Sequence, residues 1–388
     1  MNIGIDKISF YVPDLFIHMD DLAQARNEDP NKYKIGLGQE KMAVCPITQD
    51  TVSLGANAAA MILDDEDKKN IDLIILATES GLDYSKAGST TIHNLLGINP
   101  YARAIELKQA CYAGTAALFL AQAHVALNPQ KKALIITSDI SRYGLNTPGE
   151  VTQGAGSVAM LVSKDPKIAK FNQDNISYTD DTYDFWRPNY SEYAHVDGHY
   201  SNQEYHRLFK LTSDKYRETY DVHLTDFDAY AFHIPYTKMG TKILDSFVER
   251  NHDLALKFKN SITYNKQVGN IYTGSLYLHF ISILDNLDLK GQSKVAFYSY
   301  GSGTVAEFFT MTLCDNYKDY VLDDVHCKML DNRSRISISA YEKEFLKSIV
   351  KDGSHQILPK DSARFQLKEI KNHQRIYVDN DKDKKTHS

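Results

Sequence analysis

The chain reads as an α/β protein built from two duplicated halves, and three observations carry that reading. Runs such as "DLIILAT" (72–78), "KKALIITS" (131–138) and "SVAMLV" (157–162) are too apolar to alternate, as expected of strands in a sheet covered on both faces. The order of elements then recurs: "DAYAFHIP" (228–235) reads as a strand, "GNIYTGSLYLHFISIL" (269–284) as a helix, "SKVAFYSYGSG" (293–303) as a strand with a glycine turn, and "TVAEFFTMTL" (304–313) as a further strand. The spacing also recurs, with 32 positions from Glu79 to Cys111 and 37 from His233 to Asn270. The strand after each helix begins 20 positions beyond Cys111, at Lys131, and 24 beyond Asn270, at Lys294. The halves are expected at 1–165 and 166–388.

Taken in order, "MNIGIDKISFYVP" runs straight into a strand-like alternation, without the basic and apolar segments of a signal or transit peptide. "LIILATES" ends in Glu79 at the carboxyl end of a strand, where open α/β sheets place their chemistry. "RAIEL" (103–107) reads as another strand, so Cys111 falls on a strand-to-helix turn. From Gly114 to Leu127 the sequence is apolar nearly all round. With Gln122 and His124 inside it, this stretch falls short of the roughly 20 apolar residues of a bilayer span, so a buried central helix is expected. The positive end of that helix is expected to lower the thiol pKa of Cys111. From this context alone Cys111 reads equally as a nucleophile or as a small buried hydrophobe. His233 ends its own strand, and the last ten residues, "DNDKDKKTHS", read as a frayed, solvated tail.

Composition narrows the classes of function. The chain has 388 residues, 43% of them hydrophobic and 24% charged, which is enough for a large core. A net charge of −6 argues against nucleic-acid or anionic-membrane partners. The four cysteines (Cys45, Cys111, Cys314, Cys327) are scattered and form no CxxC pair, which points to free thiols in a reducing, cytoplasmic compartment and to no structural zinc.

"TES" (78–80), "ACYAGTAAL" from 110, "YDFWRP" (183–188), "HIPYTK" from 233, "VGNIYTGSLY" from 268 and "YGSG" from 300 together resemble the motifs of the 3-hydroxy-3-methylglutaryl-coenzyme A synthases, of the thiolase superfamily. "NTPGEVTQGAGSVAM" from 146 strengthens the likeness, and the length is similar to the bacterial form. The resemblance implies a thiolase-like five-layered αβαβα fold, a homodimer, and condensation of acetyl-CoA with acetoacetyl-CoA on the mevalonate route, with no metal or redox cofactor. It places a catalytic triad on Glu79, Cys111 and His233. The Cys111 thiolate is to carry the acetyl group, Glu79 to remove a methyl proton, and His233 to hold the acetoacetyl ketone. Asn270 and Ser302 are to sit beside the acetoacetyl group. Asp139, Tyr143 and Asp184 are to order the pocket, with Thr152 among the substrate-binding residues, and Lys238 is to face a CoA phosphate.

A thiolase would need a second cysteine in a glycine turn, and the corresponding turn carries Ser302. An initiating ketoacyl-acyl-carrier-protein synthase also uses Cys, His and Asn, but obtains its carbanion by decarboxylation and needs no base like Glu79. A non-catalytic acyl-CoA binder or redox-sensing thiol protein would keep the fold without a reactive Cys111. "GAGSVA" (154–159) and "GLGQEK" (36–41) imitate parts of a dinucleotide fingerprint outside a suitable βαβ unit. His195, Asp197, His199 and His206 lie close together but lack ligand spacing on a helix, so no metal is expected there.

Overall fold

The computed structural model describes residues 2–382. The first half holds β1 (Ile3–Tyr11), β2 (Leu15–His18), α1 (Met19–Ala25), β3 (Lys41–Val44), α2 (Thr51–Ala60), α3 (Asp65–Asn70), β4 (Ile71–Ala77), α4 (Gly88–Leu96), β5 (Arg103–Leu107), α5 (Ala113–Leu127), β6 (Lys132–Ser141) and β7 (Gly154–Lys164). The second holds β8 (Ala169–Phe171), β9 (Ile176–Thr179), the hairpin of β10 (Phe185–Trp186) and β11 (His195–Val196), α6 (Gly198–Tyr220), β12 (Ala229–Phe232), α7 (Lys238–Leu244), α8 (Asp253–Ser261), α9 (Thr263–Val268), α10 (Ser275–Asn286), β13 (Lys294–Gly301) and β14 (Val305–Leu313). A small antiparallel sheet, Gln356–Ile357, Phe365–Lys371 and Gln374–Asp379, lies near the carboxyl end.

The topology repeats as the spacing predicts. β4 and β6 are parallel and joined through β5 and α5, and β6 is antiparallel to β7. β12 and β13 are likewise parallel across α10, and β13 is antiparallel to β14. The strand order is β12-β13-β14-β8-β1-β7-β6-β4-β5, with β9 also on β14, so the two sheets are continuous through β8.

Side-chain parity gives the layers. Along β6, Ala133 and Ile135 enter one core while Leu134 and Ile136 enter another. Along β13, Val295 and Phe297 share the first of these cores, and Ala296 and Tyr298 enter a third. The shared core is filled by Ala117 and Leu118 of α5 with Leu276 and Phe280 of α10. α2 and α4 cover one outer face through Ala56 and Ile92, and α6 and α7 cover the other through Leu208 and Ile243. The sequence of layers is therefore αβαβα, with α5 and α10 in the middle.

Two expectations are corrected. α5 is not buried all round: Ala117, Leu118, Ala121 and Val125 are fully buried, but Leu120 and Leu127 are exposed. Ala110–Leu127 has a mean hydropathy of 1.4, and its inner face packs between the sheets. The tail is not frayed from its first residue, because Asp379 pairs with Arg364 at 3.2 Å and the Asn380 side-chain amide donates to the carbonyl of Ala363 at 2.7 Å. Residues 383–388 lie outside the described residues.

Candidate active site

The ends of three pseudo-equivalent elements meet at one cavity of about 610 Å³, and the fourth, which carries Glu79, does not line it but joins it through the hydrogen bond to Cys111. Glu79 follows β4 and His233 follows β12, while Cys111 precedes α5 and Asn270 precedes α10. Cys111, Tyr143, Thr152, His233, Asn270 and Ser302 all line the cavity.

Cys111 is presented by a tight turn. Ala110, just before it, has φ +43°, in the left-handed region that L residues seldom adopt, and the amide of Tyr112 donates to the carbonyl of Gln109 at 3.0 Å. The turn is locked against the second half, where the amide of Gly114 donates to Thr273 Oγ1 at 2.6 Å. It also explains a glycine: a Cβ on Gly301 would stand 2.5 Å from the backbone nitrogen of Tyr112, so only glycine lets the end of β13 approach so closely.

The buried Cys111 thiol donates to Glu79 Oε1 at 3.2 Å. Behind Glu79 stands Asp139, fully buried on β6. Its Oδ1 accepts from Thr78 Oγ1 at 2.9 Å and from the amides of Glu79 and Ser80, each at 3.0 Å. Burial and the Asp139 charge push the Glu79 carboxyl well above the usual range, and burial does the same to Asp139. The expected lowering of the Cys111 pKa by the helix end is not what the site produces. Burial first, then the Glu79 charge, raise it well above the ordinary thiol value, because desolvation in a closed pocket outweighs a half-charge at a helix end.

His233 faces this pair from the other half. Its amide donates to Tyr298 O at 2.9 Å and its carbonyl accepts from Tyr205 OH at 2.6 Å, so the backbone is pinned. Its Nδ1 is buried without a hydrogen-bond partner, and burial lowers its pKa to about 3, leaving a neutral ring. Asn270 is oriented by its own backbone: Oδ1 accepts from the amide of Tyr272 at 2.9 Å and from Ser275 Oγ at 3.0 Å. Its Nδ2 is thereby turned toward Tyr143 OH, 3.2 Å away.

The remaining expected residues divide. Thr152 lines the cavity while its Oγ1 donates to the carbonyl of Gly149 at 2.9 Å. Asp184 is fully buried behind the wall, accepting from Tyr300 OH at 2.7 Å, the amide of Gly303 at 3.0 Å and Ser201 Oγ at 3.1 Å, and so it braces the turn that carries Ser302. Lys238 is half-buried in the first turn of α7 and does not line the cavity. The histidine-rich stretch builds a wall: His195 stacks on Trp186 with ring centroids 5.5 Å apart, and Asp197 caps α6 by accepting from the amides of His199 and Tyr200. No group of three or more metal-ligating side chains occurs among the described residues.

Sequence reasoning passed over Tyr205, Tyr272, Tyr300 and Arg187. Tyr272, Tyr300 and Arg187 lie inside quoted motifs, but Tyr205 sits in the long helix α6 with no local signal.

A thiol on a strained turn, hydrogen-bonded to a crowded carboxylate and facing a neutral imidazole and an oriented amide, defines a cysteine-based acyl-transfer site on a thiolase-like fold. Residues 1–167 match the model of the N-terminal region of hydroxymethylglutaryl-coenzyme A synthase, and 171–251 and 246–364 match that of its C-terminal region. The hydroxymethylglutaryl-CoA synthase of Enterococcus faecalis is 47% identical over 383 residues, covering 97% of this chain and 100% of that one. A crystal structure of an HMG-CoA synthase complexed with CoA superposes with a TM-score of 0.95 at 44% identity, over 98% of this chain and all of the other. A second, MvaS in complex with 3-hydroxy-3-methylglutaryl coenzyme A, gives 0.86 at 32% identity over 97% of this chain and 99% of that one. The chain belongs to the hydroxymethylglutaryl-CoA synthase family.

Proposed function

We propose that this protein condenses acetyl-CoA with acetoacetyl-CoA and water to give 3-hydroxy-3-methylglutaryl-CoA and free CoA, on the mevalonate route to isoprenoids. The observation that carries the residue roles is the Cys111–Glu79 hydrogen bond, with Cys111 lining the same cavity as His233 and Asn270. Glu79 takes the thiol proton as Cys111 attacks the acetyl thioester, and passes it to the departing CoA sulfur. Again a carboxylate, it removes a proton from the acetyl methyl, while the amides of Cys111 and Ser302 receive the enolate oxygen. The carbanion adds to the ketone of acetoacetyl-CoA, whose oxygen His233 and Asn270 hold, and Glu79 returns its proton to the new alkoxide; water then cleaves the acyl–Cys111 bond, leaving the carboxylic acid and the free thiol. No electrons are gained or lost and each proton has a carrier, so the reaction needs no redox cofactor, and the two amides supply the enolate stabilisation that a metal would otherwise give.

The raised pKa of Glu79 suits a base that must first carry a proton and then accept one from carbon. Lys238, beside the cavity residues Tyr236 and Met239 in sequence, is the residue we assign to a CoA phosphate. β5 ends the sheet with an open edge, and Ile105 on it is 41% exposed while Leu120 of α5 is 47% exposed; this supports a homodimer paired along that face. Four free cysteines support a cytoplasmic setting. Mixing the protein with both thioesters, following loss of the acetoacetyl enolate absorbance and identifying the product by mass spectrometry tests reaction and substrates together. Unchanged acetoacetyl-CoA beside intact acetyl-Cys111 would contradict it.

A further inference from the structure

Arg187 follows β10, and the hairpin it belongs to forms a wall of the cavity through Phe185, His195 and Val196. Its Nη2 donates to the main-chain carbonyl of Glu79. No carboxylate forms an ion pair with it among the described residues, so its charge is not neutralised locally. The groups that face Glu79 are otherwise anionic or neutral: Asp139 from β6, the Cys111 thiol from the turn before α5, Tyr143 after β6 and Tyr272 before α10. Two carboxyls one behind the other, Asp139 fully buried and Glu79 partly so, disfavour each other's ionised form. A guanidinium bound at the backbone of one of them counters that crowding and fixes where its side chain starts.

We propose that Arg187 is the positioning residue of the condensation step: it holds the Glu79 main chain against the hairpin wall and keeps the Glu79 carboxyl ionisable beside Asp139. This rests on the assignment of Glu79 as the methyl-proton base. The direction of its charge agrees, since Arg187 opposes the rise that burial imposes on both Glu79 and Asp139. Because the contact is to the Glu79 carbonyl, Arg187 leaves both carboxylate oxygens free, one for the Cys111 thiol and one for the substrate.

The test is the pH profile of single-turnover condensation, started from preformed acetyl-enzyme by adding acetoacetyl-CoA, for wild type, Arg187→Met, Arg187→Gln, Arg187→Lys and Glu79→Gln. In Arg187→Met or Arg187→Gln the rising limb should move up by about one pH unit, so that the rate falls about tenfold below the limb and recovers above it. Arg187→Lys keeps the cation and should leave the limb near its wild-type position. A limb that stays put in both neutral variants, or an equal loss at every pH that lysine does not repair, overturns the proposal. Glu79→Gln separates this from the parent reading: if it condenses at near wild-type rate the base lies elsewhere, whereas if it is inactive and the arginine variants leave the limb unmoved, only the role of Arg187 fails.

Discussion

Cys111 Sγ and Glu79 Oε1 lie 3.2 Å apart, joining a turn before α5 to the loop after β4 in one hydrogen bond. The pair holds one exchangeable proton between two groups whose charged forms the pocket disfavours. That arrangement keeps the resting thiol neutral and, on the roles proposed above, lets acylation and deprotonation share one base.

The first prediction concerns the thiol. Iodoacetamide should inactivate by a single modification at Cys111, with a rate that climbs at alkaline pH because the thiol pKa is raised rather than lowered. Peptide mapping of the alkylated protein checks it; modification at Cys327, the exposed cysteine, with full loss of activity would contradict it.

The raised carboxyl of Glu79 has a cost in stability whose sign can be stated. A folded-state pKa above the unfolded value means the folded chain holds the proton more tightly, so stability falls as pH rises from the ordinary carboxylate range through the raised value. Glu79→Gln should therefore melt roughly 2 °C above wild type near pH 8.5 and level with it near pH 5. Thermal denaturation at the two pH values decides.

Gly301 should not tolerate a side chain. A Cβ there meets the Tyr112 nitrogen at 2.5 Å and the Gln109 carbonyl at 2.8 Å, both backbone atoms that cannot swing aside. Gly301→Ala should shift the nucleophile turn and lower turnover on the order of 100-fold while the protein stays folded. Steady-state rates beside circular dichroism check this.

How legible was this site from residues alone? The repeat was visible because both halves keep the same strand, turn and helix chemistry, and it placed Glu79, Cys111, His233 and Asn270 at corresponding ends. The electrostatics were not visible. Helix-end logic suggested a lowered thiol pKa, and only the burial of Cys111 beside Glu79 and Asp139 reverses it. Nor could the sequence reveal the exposed side of α5, since an apolar run looks alike against a core or a partner subunit. Arg187 and Tyr205 reach the site by tertiary contacts, to Glu79 O and His233 O, which no local pattern encodes.

His233 is predicted to act as a neutral donor. Its pKa of about 3 keeps it uncharged across the working range, so its own titration should leave no limb between pH 5 and 8. His233→Ala should raise the KM for acetoacetyl-CoA and cut condensation by ~100- to ~10,000-fold while acetyl-Cys111 still forms. Intact-mass spectrometry after acetyl-CoA alone measures the second half of that statement.

The proposed dimer rests on the open edge of β5. Ile105→Asp places a charge on the exposed edge strand and should convert the proposed dimer to a monomer in analytical ultracentrifugation. A wild-type sedimentation profile that is monomeric at micromolar concentration would remove the dimer reading.

Glu79 serves both steps, but a thiol proton can also leave to water or hydroxide whereas a methyl proton cannot, so removing Glu79 slows acylation far less than condensation. The direct measurement is rapid-quench trapping of acetyl-enzyme in Glu79→Ala, beside its turnover with acetoacetyl-CoA. Acetyl-Cys111 should accumulate while carbon–carbon bond formation falls by ~100-fold or more; condensation at near wild-type rate would contradict the assignment of the base.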